Sequence, residues 1–169
     1  VNIGQFAFQR QVENLYVDHN AWLRTLLRRK LGNAFDAADL AHDVYLQLMR
    51  KGQLPPTAES RRHLTQIANG LVIDLYRRRQ IESAYLQALA LLPEPCAPDE
   101  ETRALAIEAL IQIDAALHSL PPKARQALLL CKLDGLSYRE IAAELQVSVS
   151  SVEKYIAAGL LACYQTLYG

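Results

Sequence analysis

The chain is short of cysteine and has no long apolar run, and both shortages narrow its class. Cys96, Cys131 and Cys163 are odd in number and far apart, which argues against a disulfide framework and suits a reducing cytoplasm. The longest apolar stretches, Ala88–Pro93 and Ala127–Cys131, fall far short of the ~18 residues a membrane span needs, so no membrane insertion is expected. The opening Val-Asn-Ile-Gly-Gln-Phe lacks the basic-then-apolar order of a signal peptide. Strand signals are nearly absent: no alternating β-branched runs flank an Asn-Gly or Asp-Gly pair. His19, His42, His63 and His118 lack the close spacing of a zinc site. There is no glycine-rich phosphate loop and no nucleophile elbow, so neither a metal, a cofactor nor a catalytic activity is expected. Nor is there any net charge: 18 basic residues balance 18 acidic ones.

What is there is an apolar fraction of 51% with 21% charged residues over 169 positions, ordinary for a chain that buries a core. That length suits one domain, or two small ones with a connector. Leu92-Pro93-Glu94-Pro95-Cys96-Ala97-Pro98-Asp99-Glu100-Glu101 supplies such a connector, because each proline fixes φ and removes a backbone donor. The division expected is 5–82, a linker 83–103, and 104–169. Residues 1–82 carry 12 basic and 8 acidic side chains, 83–103 carry 1 and 4, and 104–169 carry 5 and 6. Neutrality thus conceals a mildly basic first half and an acidic connector.

The fold class expected is all-α, two small helical domains joined by the Pro/acidic linker. Phe8, Val12, Leu15, Tyr16, Leu23, Leu26 and Leu27 recur near helical spacing. Asp36 is read as the N-cap of a helix Ala37–Arg50 that Gly52 ends. Leu40, Val44 and Leu48 form its inward stripe, leaving Asp39, Asp43, Gln47 and Arg50 outside. A third helix runs from about Ser60 to at least Arg79 on the stripe Leu64, Ile67, Ala68, Leu71 and Leu75. Beyond the connector, a helix around Leu105–Leu117 and another from Pro121-Pro122 to about Leu133 precede a turn at Asp134-Gly135.

Ser137-Tyr138-Arg139-Glu140 then reads as a capping box opening a short helix, Tyr138–Leu145. Gln146-Val147 turn the chain, Ser148 caps again, and a last helix points Val152, Ile156 and Leu160 inward. Two helices joined by so short a turn mark a helix-turn-helix, with Ala142 at the closest approach. A plain αα-hairpin matches part of this pattern. The outward residues of the last helix, Ser150, Ser151, Glu153, Lys154 and Ala157, suit phosphate contact beside a helix N-terminus and reach toward base edges.

In the first half, Arg61-Arg62-His63 and Tyr76-Arg77-Arg78-Arg79 bracket one otherwise apolar helix. They suit a nucleic-acid backbone, with Asn69 and Tyr76 meeting bases. The alternative is a solvated basic surface with Arg77–Arg79 complementing the helix's C-terminal dipole. Asp36, Asp39 and Asp43 at three- and four-residue spacing read as a docking face rather than a metal site.

With these residues laid out, the chain resembles a group IV, extracytoplasmic-function sigma factor of bacterial RNA polymerase. Asp36–Leu46 is similar to the family's region 2.2, Leu64–Arg78 to regions 2.3 and 2.4, and Leu120–Arg125 with Leu133–Ala142 to region 4. A finer resemblance, in Asp74–Arg79, Glu82–Glu94 and Ser148–Tyr155, is to the iron-starvation, ferric-citrate branch.

The resemblance implies a cytoplasmic initiation factor that binds core RNA polymerase at the β′ clamp helices and the β flap. It further implies promoter DNA as a partner and control by a membrane-anchored anti-sigma regulator answering a siderophore or haem receptor. By the family's pattern, Asp39, Asp43, Leu46, Gln47 and Arg50 would dock on the clamp helices. The loop Gly52–Glu59 with Asn69 would hold a flipped −10 base, while Tyr76 and Arg61, Arg62, Arg77 and Arg78 would follow the −10 DNA. Arg139, Ser148, Ser150, Ser151, Glu153, Lys154 and Ala157 would face the −35 element. The last helix carries little arginine, and Gln146 stands where related turns often have glycine. A free-standing helix-turn-helix regulator that binds DNA as a dimer is the competing expectation.

Overall fold

A computed structural model describes residues 3–169; Val1 and Asn2, the first two residues of the opening stretch, lie outside the described residues. Among the described residues there is no strand. The elements are α1 (Ile3–Leu31), α2 (Ala34–Lys51), α3 (Ser60–Ala90), α4 (Glu100–Ser119), α5 (Pro122–Lys132), α6 (Tyr138–Leu145) and α7 (Val149–Tyr168). Single 3-10 turns lie at Thr57–Glu59 and Glu94–Cys96. The chain forms two compact units, the first ending at Arg79 and the second beginning at Gln80.

The first unit is built on α1, α2 and the first half of α3. Leu23 and Leu27 of α1, Leu40, Val44 and Leu48 of α2, and Leu64, Ile67, Ala68 and Val72 of α3 form one core. Each set follows the i, i+3, i+4, i+7 series that lines one side of a helix. Gly32, at φ 75°, ends α1, with its N–H bonded to the Arg28 carbonyl at 2.9 Å. The next residue is therefore the extended one. Asn33 (φ −143°, ψ 148°) is the N-cap of α2, and its side-chain oxygen accepts the Asp36 N–H at 2.8 Å. This corrects the reading of Asp36 as the cap: the helix starts one turn earlier, because the Gly32 reversal sets where extended backbone occurs.

The second unit joins α4, α5, α6 and α7. Ala127 and Leu128 of α5, Ile141 and Ala142 of α6, and Val152 and Ile156 of α7 make its core, with Leu145, Val147, Cys131 and Cys163 packed against it. The backbone of α7 approaches α5 closely: a Cβ built on Gly159 would lie 2.9 Å from Leu128 Cδ2. Leu160, read above as inward, is 46% exposed, because Gly159 occupies the turn of α7 that faces α5.

Two helices run longer than their apolar stripes indicated. α4 begins at Glu100, where Asp99 accepts the Thr102 N–H at 2.7 Å, so the acidic connector supplies the cap and first turn. α3 continues to Ala90, so Arg77–Arg79 lie in its interior and the C-terminal-dipole reading of those arginines does not hold.

Candidate nucleic-acid interface

The outer face of α2 carries Asp39, Asp43, Leu46 and Arg50 in the open, with Gln47 half-buried beside them. Leu40, Val44 and Leu48 hold the opposite face in the core, so this presentation follows from helical period alone. Asp36 stands apart from the group. It accepts a hydrogen bond from Arg79 of α3 at 2.6 Å, and that contact holds its carboxyl below the usual range.

A groove between α1 and α2 flanks Leu46. Val12, Tyr16, Val17, Leu46 and Met49 border a cavity of about 400 Å³. Tyr45, 4% exposed, lines it with a hydroxyl that has no hydrogen-bond partner, and burial pushes its pKa up to about 12. Tyr16 meets its ring edge-on at 5.0 Å. Sequence reasoning missed this groove. The available signal was Val17, Leu46 and Met49, apolar residues on the outward side of amphipathic helices.

The outer side of α3 carries Arg62, Asn69 and Tyr76 at seven-residue intervals. Gln66 and Ile73 belong to the same stripe, and Ile73 is 61% exposed; neither was picked out from the sequence. Counting Arg62 to Tyr76, the stripe is about 21 Å long. Arg61 lies 5.0 Å over the Trp22 ring of α1, a cation–π contact that presets its guanidinium. The Tyr76 hydroxyl donates to the Lys30 carbonyl at 3.0 Å, capping the end of α1, so its ring rather than its hydroxyl is offered outward. Arg78 pairs with Asp74 at 3.1 Å. Upstream, Gly52 at φ 64° and Pro55-Pro56 shape the loop 52–59, and the buried Ser60 hydroxyl donates to the Thr57 carbonyl at 3.1 Å.

In the second unit the capping box is complete: Glu140 N–H reaches Ser137 Oγ at 3.3 Å, and Ser137 N–H reaches Glu140 Oε2 at 2.7 Å. These bonds hold the Glu140 carboxyl below its ordinary pKa. Gln146 takes the left-handed conformation, φ 53° and ψ 49°, and Val147 N–H bonds the Ala142 carbonyl at 3.0 Å. The turn therefore has the geometry glycine would adopt, built with a glutamine. Ser148 caps α7, accepting the Ser151 N–H at 3.1 Å, and its hydroxyl lies 2.9 Å from the Ser151 hydroxyl. Ser150, Glu153, Lys154 and Ala157 are exposed on the first turns of α7, and Arg139 is exposed on α6. Ser151 is half-buried and already bonded, which makes it more a cap partner than a free reader.

A capped helix-turn-helix in one unit and an exposed arginine-bearing helix in the other define a DNA-binding protein of two modules. Comparison with known proteins narrows this class. The sigma-70 region 2 model matches residues 15–81, and the sigma-70, region 4 model matches residues 110–163. The chain is 46% identical over 151 residues to the ferric citrate uptake sigma factor FecI of Escherichia coli (strain K12), covering 89% of this chain and 87% of that one. It is 33% identical over 164 residues to the ECF RNA polymerase sigma factor SigE of Mycolicibacterium smegmatis, covering 92% of this chain and 61% of the relative. With the RNA polymerase sigma factor CarQ of Myxococcus xanthus it shares 29% over 137 residues, 80% of this chain and 76% of the other. The chain belongs to the sigma-70 family, in its extracytoplasmic-function group. It is a sigma factor, whose partners are core RNA polymerase and promoter DNA, and the region 2 match leaves the dimeric-regulator alternative without support. Among the described residues no helix is long and apolar enough to cross a membrane.

Proposed function

We propose that this sigma factor directs RNA polymerase to promoters of iron, siderophore or haem uptake genes and acts in the cytoplasm under a membrane-anchored anti-sigma regulator. The observation that carries this reading is the 46% identity, across 89% of the chain, to a sigma factor named for ferric citrate uptake. Residues 5–82 bind core polymerase and open the −10 element, 83–103 connect, and 104–169 read the −35 element. Asp39, Asp43, Leu46, Gln47 and Arg50 dock on the β′ clamp helices, and the second unit meets the β flap. Asn69 and the loop 52–59 hold a −10 base, with Arg61, Arg62, Tyr76, Arg77 and Arg78 along the strand. Arg139, Ser148, Ser150, Ser151, Glu153, Lys154 and Ala157 serve the −35 site.

The chain does no chemistry of its own in this reading; it supplies promoter choice and strand opening. Zero net charge supports dependence on polymerase, because affinity for a duplex follows the number of phosphates neutralised. Two weak readers held by one enzyme gain effective concentration for each other. Run-off transcription with purified core polymerase tests the proposal: transcripts from iron-uptake promoters and not from unrelated ones are expected. Silence at every iron-uptake promoter by a folded, core-bound chain would overturn the choice of targets. Tight, specific binding of the free chain to promoter duplex would contradict the dependence on polymerase.

A further inference from the structure

A second cavity in the first unit lies away from the outer stripe of α3. It holds about 510 Å³, between one face of α1 and the loop that leads into α3, within the roughly 300–1,000 Å³ of ligand pockets. Its α1 wall carries Asn14 and Asp18, one helical turn apart, with Leu15 and His19. Its other wall is Leu54-Pro55-Pro56-Thr57. This wall is preformed. Two prolines fix its φ angles, the Glu59 N–H bonds the Pro56 carbonyl at 2.9 Å, and Ser60, 2% exposed, ties its hydroxyl back to Thr57.

We infer that this cavity receives an unstacked adenine or cytosine of the single-stranded promoter, with Asn14 and Asp18 of α1 as its readers. The inference rests on the sigma-factor reading above and adds to it a base-reading wall on a helix assigned no DNA contact. The chemistry selects the occupant. A carboxylate at the wall repels a phosphate and accepts from an amino group, which adenine and cytosine carry on the edge they present once unpaired. The Asn14 amide both donates and accepts, as a base edge requires. Leu15, Leu54 and the two prolines offer apolar surface to a flat ring. His19 Nδ1 is buried with no hydrogen-bond partner, and the ring stands edge-on to Trp22 with centroids 6.4 Å apart. Arg61, held over the far side of that cluster by Trp22, places a cation beside the cavity for the phosphodiester that must stay outside.

The test uses the full chain reconstituted with core polymerase on a pre-melted promoter template. Each of the four bases is placed in turn at every non-template position of the bubble, and relative affinities are read by competition. The wild-type holoenzyme is expected to favour adenine or cytosine at one position by about tenfold. Asn14→Ala and Asp18→Ala are each expected to erase that preference, and Asp18→Asn to relax it toward guanine and thymine. Preferences elsewhere, including any lost in Asn69→Ala, and affinity for core polymerase are expected to stay. Unchanged preferences in all three variants, or a uniform loss over every template, would overturn the inference. So would a loss of core affinity, which would make the cavity a protein contact. A wild-type holoenzyme that showed no base preference anywhere in the bubble would instead overturn the underlying reading of the first unit.

Discussion

Replacing Gln146 by glycine changes the turn between α6 and α7 without touching either helix. At φ 53° an L-residue crowds its own Cβ against the following carbonyl, at roughly 1–2 kcal/mol relative to glycine. The Gln146 side chain is exposed, so little packing is lost with it. Glycine brings a more flexible unfolded chain, which returns about 0.4–1 kcal/mol of that advantage. The balance is a gain of about 0.5–1 kcal/mol in the second unit, or a few degrees of melting temperature for a domain of this size. Trp22 reports only on the first unit, so the assay is hydrogen exchange at the amides of Ile141 and Val152, both in the second core. Slower exchange there, with the first unit unmoved, is the expected result. Gln146→Val, which adds a branched Cβ to the same φ, should speed it. Equal exchange in wild type and Gln146→Gly would refute the claim that the turn stores backbone strain.

Tyr45→Phe removes a buried hydroxyl that bonds nothing, so stability measured by Trp22 fluorescence should stay level or rise by up to about 1 kcal/mol. Gly159→Val forces branched carbons into the contact with Leu128 and should destabilise the second unit by about 1–3 kcal/mol, read by thermal melting. Asp36, Asp99 and Glu140 all have folded pKa values below their ordinary ones. Their contribution is therefore present above the ordinary carboxylate pKa and lost as pH falls through the depressed values; denaturant midpoints should drop below about pH 4.5, and less steeply in Glu140→Gln. Asp39→Lys with Asp43→Lys should abolish co-purification with core polymerase while leaving helicity by circular dichroism unchanged, because both side chains are exposed.

The parts of the fold set by local chemistry were legible. The Ser137–Glu140 capping box needs two side chains at fixed spacing, and it forms as read. The inward stripe of α2 and the wedge of Ile141, Val152 and Ile156 follow from helical period. Element ends were less legible. Gly32-Asn33 and Asp36 all carry boundary signals, and only the backbone reversal at Gly32 decides that Asn33 is the cap. The end of α3 was hidden because its apolar stripe stops near Leu75 while the helix continues. Leu160 was misplaced since a glycine one residue earlier, rather than a larger apolar group, meets α5. The site residues on α2 and α7 lie on the exposed faces that periodicity assigned them, whereas the grooves beside α1 depend on contacts between distant segments that no spacing encodes.

The close seat of α7 on α5 has a consequence for how promoter preference is tuned. The helix that bears Ser150, Glu153 and Lys154 rests directly on Leu128, with only a hydrogen where other residues keep a side chain. The size of residue 128 therefore sets the pitch at which those side chains are offered to the groove. Trimming or enlarging it would shift which sequences are favoured, through a residue that no nucleotide ever touches.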